Sequence, residues 1–132
     1  MTVTEPKNNI EIYSKVIVSY TIESMGKEDI SIISIEKVIT HLDATREYFL
    51  NVFKRKGLDL GILRLRKGET DTQEPHSVDE VYFVIEGNGH IEIEHKMKPV
   101  NRADFIFVPA NAHHRFVVGN KDLIVIYFFG CS

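Results

Sequence analysis

Two histidines and a glutamate carry side chains of the types that can bind a metal ion. His76 and Glu80 lie four residues apart in TDTQEPHSVDEVYFVIEGNG, and His114 follows in VPANAHH. Glu80 begins a β-prone run, and strand alternation places it on a face that is otherwise apolar. A carboxylate on such a face needs a partner, because an unpaired buried charge is costly. A metal ion is one such partner, and the basic alternatives are Arg64, Arg66 and Arg102.

The first of these stretches resembles the first motif of the cupin superfamily. That motif reads Gly, five residues, His-x-His, three or four residues, Glu, six residues, Gly. Gly68, His76, Glu80 and Gly87 occupy the corresponding positions. The chain departs from the pattern at the first histidine, where Glu74 stands.

The second stretch, ADFIFVPANAHHRFVV, resembles the second cupin motif. That motif reads Gly, five residues, Pro-x-Gly, two residues, His, three residues, Asn. Pro109 and His114 match it, whereas Ala103 replaces the opening glycine and Val118 the final asparagine. Asn111 replaces the middle glycine, and asparagine tolerates the left-handed backbone that a glycine would supply.

The resemblance implies that His76, Glu80 and His114 are metal ligands. Strand alternation favours Glu74 as a fourth ligand, because residues two apart share a face. Pro75 often marks a bulge, which would turn Gln73 inward instead. The stretch D-T-Q-E-P-H is also similar to a cupin subgroup written D-x-Q-x-P-H, and we therefore expect Gln73, with Glu74 as the alternative.

Two imidazoles and one carboxylate form the ligand set suited to non-haem Fe(II). Zinc, manganese, nickel and copper are alternatives. We expect a substrate pocket lined by Tyr82, Phe107 and Phe116, with Tyr82 or His113 assisting proton transfer. The resemblance implies a metal-dependent enzyme acting on a small oxygen-bearing substrate by dioxygenase-, isomerase- or cyclase-type chemistry. The alternative is a non-catalytic cupin that binds a small ligand as a sensor or store.

The surrounding sequence predicts an all-β domain, a double-stranded β-helix (jelly-roll) barrel with a short helix and N-terminal strands. β-prone residues fill Ile10–Ile22 and Ile30–Thr40, and helical spacing predicts a helix over Leu42–Arg55. Gly87-Asn88-Gly89 predicts a tight hairpin turn. The remaining predicted strands are Leu60–Lys67, Val81–Ile85, His90–Glu94, Phe105–Val108, Arg115–Val118 and Leu123–Phe129.

Length and composition limit the other possibilities. The 132 residues predict a single domain over residues 10–132, with core motifs at 68–118 and a disordered tail at 1–9. A net charge of −3 argues against nucleic acid, and we read the run Lys54–Lys56 as a solvated loop. The single Cys131 excludes an internal disulfide. Since no apolar stretch is long enough for a membrane span and the N-terminus does not resemble a leader sequence, we expect a cytoplasmic protein that does not enter a membrane. We also expect a small-molecule ligand and a homodimer, for which the apolar residues Val81, Phe83 and Ile85 could supply a face.

Overall fold

A computed structural model describes residue 22, residues 24–71 and residues 73–130. The predicted tail at 1–9, Cys131 and all of Ile10–Ile22 except Ile22 lie outside these residues. One helix, α1, and eight strands, β1 to β8, follow one another from residue 35. Their bounds are α1 Ile35–Thr45, β1 Phe49–Arg55, β2 Leu58–Leu65, β3 Glu80–Glu86, β4 Asn88–Ile93, β5 Lys96–Asn101, β6 Phe105–Val108, β7 His114–Val118 and β8 Leu123–Phe129.

The helix lies earlier in the chain than its predicted position. The Ser34 side chain caps α1 by accepting a hydrogen bond from the Lys37 amide at 3.2 Å, and the helix ends at Arg46, whose φ is +63°. The strand predicted over Ile30–Thr40 is therefore wrong, and so is the helix predicted beyond Thr45. The apolar spacing that suggested a helix comes from strand β1, where a bulge between Asn51 and Phe53 interrupts the strand alternation.

The strands form two antiparallel sheets, which confirms the all-β jelly-roll prediction. The larger sheet has the order β1-β2-β8-β3-β6, and the smaller has the order β5-β4-β7. Buried side chains of both sheets meet in one core cluster, which includes Leu65, Tyr82, Phe116 and Val125. Glu80 shares the inward face of β3 with Tyr82 and is buried with it.

The predicted hairpin at Gly87–Gly89 is a crossing between the two sheets, because β3 and β4 belong to different sheets. Gly87 has a φ of +94°, and a Cβ there would meet the Asp122 carbonyl oxygen at 2.2 Å. The hairpin lies one strand later, where Glu94 and His95 join β4 to β5 with φ values of 49° and 72°. Strand β5 was not predicted, since it is a mostly exposed edge strand that contains Pro99.

A second apolar cluster covers the outer face of the larger sheet. Val38 and Leu42 of α1 pack there against Leu50, Ile62 and Ile124. Strands β2 and β8 are therefore covered on both faces, which explains why Leu123–Phe129 is apolar throughout. Within the described ranges, no helix combines the length and apolar character that a membrane span requires. The homodimer stays a prediction.

Candidate metal centre

The structure brings His76, Glu80 and His114 together at one end of the core. Glu80 begins β3, His114 begins β7, and His76 lies in the segment that leads into β3. Oε1 of Glu80 is 3.4 Å from Nε2 of His114 and 3.8 Å from Nε2 of His76. One ligand atom from each residue lies within 4.8 Å of the other two. The three side chains could therefore hold one metal ion between them.

Two atoms of this triad lack a hydrogen-bond partner although they are buried. Nε2 of His76 and Oε1 of Glu80 make no hydrogen bond with any described residue. The Glu80 residue is only 2% exposed. Buried polar groups are nearly always satisfied, so two orphaned atoms that face each other fit a site for a cation. The donor set of two imidazoles and one carboxylate suits a divalent transition metal.

The arginines considered as partners of Glu80 lie elsewhere. Arg64 forms ion pairs with Asp43 at 2.8 Å and Asp122 at 3.2 Å. Arg66 donates to the Leu42 carbonyl at 3.0 Å, and Arg102 is exposed. Of the described residues, only the two histidines form salt-bridge contacts with the Glu80 carboxylate.

Backbone hydrogen bonds join the two motif segments. The amide of Asn111 donates to the His76 carbonyl at 2.6 Å, and the φ of Asn111 is +68°. The left-handed backbone predicted for Asn111 is thus confirmed. The Ala110 amide donates to Oδ1 of Asp79 at 2.9 Å, and the Gly130 amide donates to the Asp79 carbonyl. The turn of the second motif therefore holds the first motif in place beside His114.

The hydrogen bonds of His114 direct one ring nitrogen toward Glu80. Nδ1 lies 2.9 Å from the Ala112 carbonyl, which only accepts, so Nδ1 carries a proton. This leaves Nε2 for the site, and a second hydrogen bond that fixes the ring is typical of histidine ligands. Burial opposes ionisation, but the Glu80 carboxylate and the Ala112 carbonyl outweigh it and raise the pKa of His114 above its usual value. A metal would compete with this proton.

A buried polar network lies behind the triad. The Tyr82 hydroxyl donates to Oε1 of Gln73 at 3.0 Å and lies 3.1 Å from Nε2 of His114. The Gln73 amide donates to Oδ2 of Asp71 at 2.9 Å, and this oxygen also accepts from the Phe116 amide at 2.7 Å. Since a carboxylate only accepts, Asp71 fixes the Gln73 amide with its oxygen toward Tyr82.

This network distinguishes the two candidates for the fourth ligand. The side-chain oxygen of Gln73 accepts a hydrogen bond from Tyr82, which lies beside His114, whereas Glu74 is exposed. Whether either residue binds a metal stays a prediction. Asp71 is the aspartate that opens the D-x-Q-x-P-H pattern, and it is only 6% exposed. It was not predicted to be a site residue.

Tyr82 is held as a neutral phenol. It is fully buried, and its ring packs edge-on against Phe116 with centroids 4.9 Å apart. Burial and then the Glu80 carboxylate raise the pKa of Tyr82 far above its usual value. Its hydroxyl can therefore donate a hydrogen bond at neutral pH, but it is a poor source of phenolate.

A cavity of about 260 Å³ opens beside the triad. Its aromatic walls come from Tyr48 and Phe49 around the start of β1 and from Tyr127 and Phe129 of β8, and Leu63 completes the apolar lining. The Phe129 ring packs edge-on against His76 with centroids 4.6 Å apart. The walls from Tyr48 and Phe49 could not be predicted, because both residues fall within the predicted helix Leu42–Arg55.

None of the three predicted pocket residues lines this cavity: Tyr82 and Phe116 are buried in the core, and Phe107 lies on the outer face. In the β3–β6 register Val108 is opposite Glu80 and Phe107 is opposite Val81, which places Phe107 on the outer face. It is 59% exposed. His113 is exposed too, beside a separate depression that includes His114. Its backbone amide donates to Glu94, and a role for its ring in proton transfer stays a prediction.

Comparisons with known proteins agree with this architecture. A family model described as a cupin domain matches residues 61–129, just over half of the chain. The uncharacterized protein SCO3923 of Streptomyces coelicolor is 35% identical over 81 residues, which cover 61% of this chain and 77% of that protein. The 5-nitrosalicylic acid 1,2-dioxygenase of Bradyrhizobium sp is 30% identical over 70 residues, 52% of this chain. The match spans only 34% of the dioxygenase.

A solved structure extends the likeness in fold. BH2720 of Bacillus halodurans aligns with a TM-score of 0.61 and 20% identity over 80% of this chain and 84% of its own. A sequence identity of 20% supports a similarity of fold and not of function. The family match covers both motif segments and the strands that carry them, and the chain belongs to the cupin family.

Proposed function

We propose that this cupin is a metal-dependent enzyme acting on a small oxygen-bearing substrate. His76, Glu80 and His114 would hold one divalent transition metal, and Gln73 is the proposed fourth ligand. The observation that carries the proposal is the pair of orphaned atoms, Nε2 of His76 and Oε1 of Glu80, buried within 3.8 Å of each other. Buried polar atoms without a hydrogen bond are costly, and a metal ion between the three side chains would satisfy both of them.

We favour iron(II), because two histidines and one carboxylate that leave open positions are the ligand set of non-haem iron oxygenases. When bound, such an ion supplies Lewis acidity toward a substrate oxygen together with redox chemistry. The likeness to a protein named 5-nitrosalicylic acid 1,2-dioxygenase supports dioxygenation over isomerisation or cyclisation. Zinc, manganese, nickel and copper are the other candidates for the same three ligands.

The protein contributes positioning and exclusion of water. The walls of the cavity are aromatic and place a flat apolar surface beside His76, which suits a conjugated or aromatic substrate. Burial raises the pKa of Tyr127 to about 12, so its hydroxyl stays protonated in the wall and accepts from the Asn51 amide at 3.1 Å. Tyr82 holds Gln73 from behind by donating a hydrogen bond to its side-chain oxygen, and it does not act as a base.

Metal analysis followed by an oxygen-uptake assay tests this function. The protein is expressed without an affinity tag, analysed for metals, and reconstituted anaerobically with Fe(II). Oxygen consumption is then followed with salicylates, β-diketones and keto acids. We expect about one equivalent of bound metal and uptake dependent on one substrate class. Less than about a tenth of an equivalent of every metal after reconstitution would contradict the metal site.

The same assay separates the reaction classes. Substrate turnover without oxygen consumption would replace dioxygenation by isomerisation or cyclisation at the same site. Ligand-dependent thermal stabilisation without any turnover would favour the non-catalytic binding protein.

A further inference from the structure

A second cleft adjoins the cavity of the triad. It has a volume of about 730 Å³ and shares His76 and Phe129 with the inner cavity. Its opposite wall is the β1–β2 hairpin, in which Arg55 pairs with Leu58 and the turn is Lys56–Gly57. A molecule in this cleft therefore lies between the tip of that hairpin and one of the three candidate metal ligands.

Three consecutive cations line the cleft, and we call Lys54, Arg55 and Lys56 the basic loop. Asp59 is the carboxylate in the same lining, and Nζ of Lys54 lies 3.8 Å from it. The three cations therefore exceed the acidic side chains of the lining by two. The chain as a whole carries a net charge of −3, so the positive charge is concentrated locally at this mouth.

The contacts within the described part of the chain leave much of this charge available. Arg55 donates from Nη2 to the Met25 carbonyl at 2.9 Å, a neutral partner, and its other guanidinium donors make no hydrogen bond with another described residue. Lys56, at the tip of the turn, makes no hydrogen bond or ion pair with any other described residue. The Lys54–Asp59 pair is loose and exposed on the lysine side, and such pairs contribute little.

We propose that the basic loop binds the negatively charged group of the substrate, so that the substrate is a small organic anion. The anionic group sits against Lys56 and Arg55, and the uncharged remainder passes His76 and Phe129 into the aromatic cavity. This inference rests on the proposed function, because it identifies the substrate class of the same site. The sequence predicted only a solvated loop at these residues, whereas in the structure they line the same cleft as His76.

The charge serves two physical purposes. A positively charged cleft on a protein of negative net charge raises the local concentration of anions, and this effect weakens as salt is added. It also selects against neutral molecules of the same shape, since these gain the aromatic contacts but not the ionic ones. Apolar walls with a few charged groups at one end are the usual arrangement of small-molecule sites.

Calorimetric titration of the full chain with benzoate and with benzamide tests the proposal. These probes share a ring and differ in charge, and inorganic phosphate serves as a third probe without a ring. The variants are Lys56→Gln and the triple change Lys54→Gln, Arg55→Gln and Lys56→Gln. Lys121→Gln, an exposed lysine in the β7–β8 loop and outside the lining of the cleft, is the matched control.

We expect benzoate to bind more tightly than benzamide. Loss of Lys56 should weaken benzoate roughly two- to fivefold, and loss of all three charges roughly tenfold or more. The control should bind as the wild type does. Binding of phosphate alone would assign the loop to phosphate esters, whereas benzoate alone would assign it to carboxylates, and both results support the proposal. Equal affinities for benzoate and benzamide together with no binding of phosphate, or a triple variant with unchanged affinity for the anion that binds, would overturn it.

A parallel titration separates this inference from the metal site. Glu80→Gln removes a proposed ligand and leaves the basic loop intact, so the preference for benzoate over benzamide should persist in that variant. If the wild type binds no metal but retains the preference, the proposed function fails and the anion site stands. If the triple variant binds metal normally and the wild type shows no preference for benzoate over benzamide, the anion site fails and the metal site stands.

Discussion

Replacing Glu80 with glutamine tests the metal site directly, because the change keeps the shape of the side chain and removes its charge. Glu80 is 2% exposed and its Oε1 faces both imidazoles, so it is the central ligand of the proposed set. Glutamine offers only a neutral oxygen at the same place. We expect the variant to fold and to lose most of its affinity for a divalent metal.

The size of the effect follows from linkage. A metal present at a hundred times its Kd stabilises the folded protein by about 2.7 kcal/mol. For a domain of this length, about 3–5 °C in Tm corresponds to each kcal/mol, so the wild type should gain roughly 8–13 °C. Changes even to residues behind a metal ligand weaken binding by about 10- to 100-fold. A variant weakened 100-fold would gain only about 0.4 kcal/mol at the same metal concentration, or roughly 1–2 °C.

The assay is differential scanning calorimetry of chelator-treated protein with and without added Fe(II), under anaerobic conditions, and then with Zn(II) and Mn(II). Glu86→Gln is the matched control, because Glu86 ends the same strand and is exposed. The control should show the full metal-dependent shift. An equal shift in the wild type and in Glu80→Gln would refute the assignment of Glu80, and no shift in the wild type with any of the metals would refute the site.

Three further outcomes follow from the structure. Asp71→Ala should destabilise the fold by about 1–3 kcal/mol, because it releases the Gln73 amide. Asp71→Asn keeps a hydrogen-bond acceptor and should retain most of the stability. Urea unfolding compares the two variants, and equal losses of stability would contradict the hydrogen-bond account. Gly61→Ala should cost about 1–3 kcal/mol, because a Cβ there would lie 2.3 Å from the Tyr127 ring, while Gly26→Ala, whose nearest contact is 3.8 Å, is the control. The Lys67 amide and then the Arg64 guanidinium hold the pKa of Asp122 below its ordinary value of 3.8, so its stabilising contribution is present above that pH and is lost as the pH falls through the folded pKa. Asp122→Asn should therefore be less stable than wild type at neutral pH, and the difference should shrink as the pH falls below 3.8; a difference independent of pH would contradict this.

The fold class and most of the strands could be predicted from the sequence. Strands β6 and β8 have the predicted bounds, and β2, β3, β4 and β7 differ from prediction by one or two residues at one or both ends. Alternation and turn residues are local signals, which is why these elements could be found. The prediction failed over residues 30–55, where the bulge in β1 mimics a helical period. It also failed at β5, an exposed edge strand with little apolar pattern.

The sequence by itself determined the triad. His76 and Glu80 are separated by a short segment that leads into one strand, and the second motif places His114 at the start of another. Strand alternation predicts that Glu80 points inward, and the resemblance of both motifs to the cupin pattern identifies all three residues. Only the tertiary structure decided what surrounds them. Tyr48, Tyr127 and the basic loop lie outside the motifs, in or beside β1 and β8, and pairing of these strands through β2 and with β3 brings them to the triad. Such pairings depend on packing across the whole core, and no local pattern in the chain encodes them.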